Sequence, residues 1–215
     1  LLAAAYHCAP NAEDFSLAID PRDHGIIPSV VNLLTFFDSR YTANFLHGLN
    51  VLVFNSVEQF YVMPVICFIL LTASFYYFIT GIIKSENMKL YLLGYSLLFV
   101  IIHYALEPSL PYGLFYMAST FTYIYPWIFA FSWTGSLFRT LHETSQAKKI
   151  LLTVTGYLAL ILSYGSSELF IPVNAFLLFL FLVGGLVYNP SKLKYIFPYC
   201  IVAFSCMLFI FLCPS

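Results

Sequence analysis

Long apolar runs dominate the chain after residue 59, broken only by short polar connections. Six of them, at 60–83, 90–106, 113–138, 150–167, 169–188 and 195–213, match the length of about 17–25 apolar residues that lets a helix cross a bilayer. The first has no charged residue from Phe60 to Ile83. Short connections make consecutive helices antiparallel neighbours. The pattern predicts an all-α fold, a polytopic transmembrane helical bundle over 60–215.

Residues 1–59 follow another pattern. "LLAAAY" reads as the end of a first span. "IDPRDHG" (19–25) is rich in turn formers. "IIPSVVNLLTFF" (26–37) and "TANFLHGLNVLVF" (42–54) are apolar but interrupted, too short or too polar to span. They are expected to lie as juxtamembrane helices on the outer surface. Asn44, His47 and Asn50 recur every third residue, which puts them on one helical face. A wet face of an interfacial helix is the plain expectation for it. The start without Met, and the end in "FIFLCPS" as a span finishes, suggest a piece of a longer protein. A cleaved signal peptide is the competing explanation for the start.

Composition sharpens this picture. The 215 residues are 61% hydrophobic and only 9% charged, with mean hydropathy +0.86. Soluble domains carry about 25% charged residues, so the chain reads as an integral membrane protein. A net charge of −1 leaves no basic patch for nucleic acid. The five cysteines are scattered, with no CxxC and no disulfide framework. No HExxH, GxGxxG, P-loop or GxSxG occurs.

Charge is also sorted by side. Seven of the nine Lys and Arg fall in three alternate loops: Lys84 and Lys89, then Arg139, Lys148 and Lys149, then Lys192 and Lys194. By the positive-inside rule these loops are cytoplasmic, in the plasma (inner) membrane. Eight of the ten carboxylates take the opposite, outer face.

Four places there carry candidate chemistry. In "NAEDFSLA" (11–18), Glu13 and Asp14 are adjacent like charges that raise each other's pKa when desolvated. Such a pair suits a general base or a hard-cation site. It equally suits the first turn of a helix, where it complements the dipole. Arg40 and Tyr41, in "FFDSRYTANFL", offer a guanidinium fork matched to phosphate, or a salt bridge to Asp38 or Asp14. Glu107 closes one span. Tyr112, Tyr116 and Tyr123 line one face of the next, extended by Thr120 and Trp127. The stretch from Tyr116 to Tyr123 covers about 10 Å of helix. It fits a cavity for a sugar or lipid headgroup, or an aromatic belt. Glu168 sits in a tight loop between two spans, as a functional carboxylate or one reaching the headgroups.

The order of these pieces resembles a family of bacterial multi-pass proteins grouped with GT-C type glycosyltransferases. That family carries a DDF/DDY motif after the first span, a W-x-G-R-Y stretch running into LNPLVF-like sequence, PSLxxGxYWxxGxxTY, and a later G-x-N-E. Here the blocks are "EDF" (13–15), "FDSRYTANFLHGLNVLVF" (37–54), "PSLPYGLFYMASTFTY" (108–123) and "GSSE" (165–168). Glu13 replaces the usual first Asp, Phe37 the Trp, Ser39 the Gly and Ser167 the Asn.

The resemblance implies a GT-C-like bundle that transfers sugar from a polyprenyl-phosphate donor, held in the membrane lipid, to a glycan, lipid or protein acceptor. It makes Asp14 the catalytic base and has Glu13 assist or bind a divalent cation (Mg or Mn). Arg40 would contact the donor phosphate, and Glu168 and Tyr116 would shape the pocket. The alternatives from the same acidic face are a flippase or transporter of lipid-linked sugar, and a non-catalytic assembly subunit.

Overall fold

The structure is a computed structural model and describes residues 9–10, 12–36, 39–106 and 117–213. Among the described residues the fold is all-helical, with no strand. Three short helices come first: α1 (Ala12–His24), α2 (Ile26–Phe36) and α3 (Tyr41–Gly48). Two 3-10 turns, Val51–Phe54 and Val57–Gln59, lead into α4 (Val62–Ile82). Then come α5 (Lys89–Leu106), α6 (Tyr125–Thr140), α7 (Gln146–Tyr164), α8 (Phe170–Tyr188) and α9 (Leu193–Leu212).

Four helices are long and apolar enough to cross a membrane: Val57–Ile82, Gln146–Tyr164, Phe170–Tyr188 and Pro190–Leu212. Two of the six expected spans differ. Lys89–Ala105 is a shorter apolar helix. The run expected at 113–138 is described from Met117 as three joined pieces, Met117–Ser119, a π turn Thr120–Ile124, and α6. The π turn has a local cause. Pro126 has no N–H to return to the carbonyl four residues back, and just ahead of it the ladder slips so that Tyr125 N–H reaches Thr120 O.

The "IDPRDHG" stretch is helical rather than turn-like. Pro21 lies inside α1, and the chain turns only at Gly25, whose φ of +92° suits glycine. The two interrupted runs do form short helices at the expected places.

α6 is the axis of the bundle, packed along α4 on one side and α7 on the other. Gly135 brings α4 close: an added Cβ would lie 2.8 Å from the Tyr77 ring. Gly156 does the same for α9, at 2.0 Å from Tyr199 Oη. Small residues serve this purpose in membrane bundles, where packing must replace the hydrophobic driving force. Phe75, Phe99 and Phe131 join α4, α5 and α6, with Phe75 and Phe99 stacked 4.0 Å apart.

The buried centre also holds a polar chain. Trp133 Nε1–H donates to Asn174 Oδ1 (2.9 Å), and Asn174 Nδ2 donates to Ser163 Oγ (2.9 Å). The Ser163 hydroxyl lies 3.2 Å from the Pro126 carbonyl. These groups tie α6, α7 and α8 together, and Trp133, Ser163 and Asn174 are fully buried.

The three lysine-bearing loops meet at one end of the bundle. Lys192 donates to the Leu141 carbonyl, and Lys149 lies 4.8 Å from the Tyr195 ring centroid. Arg139 closes the same end, over Tyr77 and donating to Tyr77 O and Thr80 Oγ1. α1–α3 cap the opposite end. Cys67, Cys200, Cys206 and Cys213 are free thiols.

Asn174→Ala leaves the Trp133 N–H without its acceptor. We expect a loss of about 1–2 kcal/mol, read as a lower unfolding midpoint in bicelles, while Asn174→Gln loses less.

Candidate functional site

The cap and the bundle enclose a polar cavity of about 410 Å³ at the end away from the lysine loops. α1 contributes Glu13 and Leu17, and α2 contributes Leu33. Arg40, Ala43, Asn44 and His47 come from α3 and the residue before it, and Ala118, Ser119, Thr122 and Tyr123 from the segment leading into α6. Glu13, Arg40 and Tyr123 were singled out from sequence, and here they share one wall system.

The adjacent carboxylates diverge. α1 starts at Ala12, so both fall in its first turn, as the helix-dipole reading anticipated. Successive helical residues point about 100° apart, and only Glu13 lines the cavity. Asp14 is 1% exposed, and its Oδ1 accepts a hydrogen bond from Ala118 N–H (3.2 Å). Ala118 itself lines the cavity, so Asp14 clamps the wall on which Glu13 opens.

Arg40 is held by its neighbours in sequence. Tyr41 fills the space over Gly165, where an added Cβ would lie 2.1 Å from the ring. The Tyr41 hydroxyl donates to Ile161 O (2.6 Å), its ring meets Phe209 edge-on, and Thr42 N–H donates to Gly165 O (2.8 Å). Tyr41 therefore anchors the cap on α7 and α9 rather than lining the cavity. Ser39, also buried, donates to Glu168 Oε1 at 3.4 Å. Glu168 is exposed and is not part of the cavity lining. Glu107 and Tyr116, together with Tyr112 and Asp38, lie outside the described residues.

Sequence reasoning placed Asn44, His47 and Asn50 on a wet face. All three are buried, because α3 turns that face toward the bundle. Asn44 and His47 line the cavity, with the imidazole edge-on to Phe121 (5.2 Å). Asn50 falls past the end of α3 and accepts from Leu52 N–H (3.2 Å), capping the next turn. The spacing of three placed Asn44 and His47 on one face, but α3 ends before Asn50, and the face meets the bundle rather than water.

The π turn also rearranges the expected tyrosine stripe. Thr120 is fully buried and Trp127 packs edge-on against Phe170 (4.9 Å). Of the expected stripe the half-exposed Tyr123 does reach the cavity, joined by Thr122. Pro126 was the sequence signal for that shift. π turns recur at functional sites because the extra residue re-aims its neighbours.

Among the described residues no three His, Cys, Asp or Glu side chains group to hold a metal ion. The chain matches no family model, no curated protein and no solved structure. The family resemblance therefore rests on its four sequence blocks.

Two variants test the construction of the wall. Gly165→Ala forces the Tyr41 ring off its seat, at a cost of about 1–3 kcal/mol. Combining it with Tyr41→Ala is expected to cost less than the two separate losses added together, as contacting sites do. Asp14→Ala leaves the buried Ala118 N–H without this acceptor, and a loss of about 1–3 kcal/mol is expected in thermal unfolding.

Proposed function

We propose that the chain is a GT-C-like membrane glycosyltransferase, moving a sugar from a polyprenyl-phosphate donor to a glycan, lipid or protein acceptor. The reading places the capped end outside the plasma (inner) membrane and the lysine loops in the cytoplasm, following the positive-inside rule. α1–α3 then lie at the outer interface, where the exposed Ile27, Val31 and Phe36 of α2 suit the headgroup boundary.

One observation carries the proposal: a cavity of about 410 Å³ that holds a carboxylate, Glu13, and a guanidinium, Arg40, among amide, imidazole and hydroxyl groups. Each has a role in displacement at an anomeric carbon. Glu13 takes the proton from the acceptor hydroxyl. The acceptor oxygen forms its bond to the anomeric carbon from the face opposite the phosphate. The bond from that carbon to the phosphate oxygen breaks, and its electron pair leaves with the phosphate. Arg40 binds the departing dianion through its paired donors. The configuration inverts. Asn44, His47 and Tyr123 are the sugar's polar neighbours.

This assignment moves the base from Asp14 to Glu13 and makes Asp14 a positioning residue. Tyr41 positions Arg40, and Ser39 links that segment to Glu168. A divalent cation, Mg or Mn, belongs to the proposal only as a companion of the donor phosphate. Mg is commonly held by one or two carboxylates plus substrate phosphates, and Glu13 would supply the carboxylate.

The test supplies radiolabelled polyprenyl-phosphate sugars to the protein in native-like lipid and follows label into extracted acceptors. Glu13→Gln is expected to lower transfer by about 10²–10⁴-fold, and Arg40→Ala by about 10²–10³-fold. Asp14→Asn, which keeps an acceptor for Ala118 N–H, is expected to lower it less than Glu13→Gln. Undiminished transfer in Glu13→Gln would overturn the base. Label crossing the bilayer unchanged would replace the transferase with a flippase.

A further inference from the structure

A second hollow lies away from the cap, on the lipid-facing side of α6. Two cavities of about 580 and 470 Å³ adjoin there, sharing Phe78, Thr134 and Leu177. Together they follow α8 from Pro172 to Tyr188, about 24 Å of helix at 1.5 Å per residue. That approaches the ~30 Å depth of the hydrocarbon core. The walls are aliphatic and aromatic for most of this length. Leu180 and Ile82 on its rim are about half exposed, so the hollow is open along its side.

Its lysine end is different. His142 and Lys192 line the mouth there. Burial holds the His142 imidazolium below its ordinary pKa, and the Lys84 and Lys192 charges act in the same direction. Lys192 gives one hydrogen bond to the Leu141 carbonyl, and an ammonium has three donors. The mouth is thus cationic, with the imidazole as a further polar partner.

Gly184 helps to keep the hollow open. An added Cβ there meets no atom within 4 Å, and glycine in a helix interior costs about 1 kcal/mol against alanine. Spread over its length, the hollow has a mean cross-section of about 45 Å², below the roughly 80–110 Å² of a helix 10–12 Å across. Hydrocarbon chains fit that section.

We infer that this groove holds an acyl chain of an anionic membrane phospholipid, whose phosphate sits on the rim formed by His142 and Lys192. The apolar length selects a hydrocarbon chain, and the Lys192 ammonium selects an anionic headgroup at that end. Basic pockets between membrane helices take such headgroups on the same electrostatic ground. The site is at the opposite end of the bundle from Glu13 and Arg40 and does not rest on the transferase reading.

The test offers the full chain an equal mixture of phosphatidylglycerol and phosphatidylcholine in detergent and reads retained lipid by native mass spectrometry. The wild-type chain is expected to retain phosphatidylglycerol with a preference on the order of tenfold. Lys192→Gln should bring that preference to near parity while lipid is still retained. Gly184→Phe fills the groove and should remove bound lipid of both kinds. Equal retention of the two lipids by the wild-type chain, or no retention, would overturn the inference. So would unchanged binding in Gly184→Phe. If that variant does not fold, Lys192→Gln decides alone, and an unchanged preference in it overturns the site. A dimer that Gly184→Phe disperses, with no lipid retained by the wild-type chain, would assign the groove to a second copy.

Discussion

Polar groups in the apolar interior must find partners within the protein, and the chain from Trp133 through Asn174 to Ser163 is where that demand is concentrated. A polar atom left alone in hydrocarbon costs several kcal/mol. The three side chains come from α6, α8 and α7, so satisfying them sets the rotation of each helix about its own axis. Ser163 also reaches the carbonyl of Pro126, beside the π turn. The bundle's central polar contact and its one irregular stretch of described helix are therefore neighbours. With α6 turned this way, its Thr134 and Phe131 border the apolar groove, and Thr122 and Tyr123 ahead of it border the polar cavity.

The two hollows differ because the two ends of the bundle are closed differently. At the lysine end the loops are short and the cations satisfy helix carbonyls and rings: Lys192 on Leu141, Arg139 over Tyr77. A cationic rim remains around an apolar groove. At the other end a folded cap is docked through Tyr41 on Gly165, and the space beneath it is polar. An aromatic ring seated on a glycine is a stiff joint, so Arg40, one residue away, inherits a defined position. Rigid support of this kind is what a site needs to hold groups in register.

Much of the architecture was legible in the sequence. Apolar run length marked the helices, and the alternation of lysine loops predicted which loops would cluster at one end. Glu13, Arg40 and Tyr123 all stand out in the sequence, and they border one cavity. The misreadings have physical causes. The face of Asn44 and His47 was taken for a wet one because periodicity reports which residues share a face, not what that face meets. Which of Glu13 and Asp14 opens on the cavity could not be read either, because two adjacent carboxylates are indistinguishable until the helix start is set. Beginning α1 at Ala12 turned one inward and the other toward the cavity.

By itself the sequence determined an all-helical chain with apolar helices fit for a bilayer, short connections, and most of the cations gathered in three alternate loops. These follow from composition and period, which are local properties that hydrocarbon enforces on any membrane chain. Tertiary structure alone decided which helix is central, which carboxylate opens on the cavity, and where an apolar groove is left over. Those outcomes depend on helix rotation and close approach, set by Gly135, Gly156 and Gly165 and by hydrogen bonds between residues far apart in the chain. No local pattern encodes them, because each needs a partner that only folding brings near.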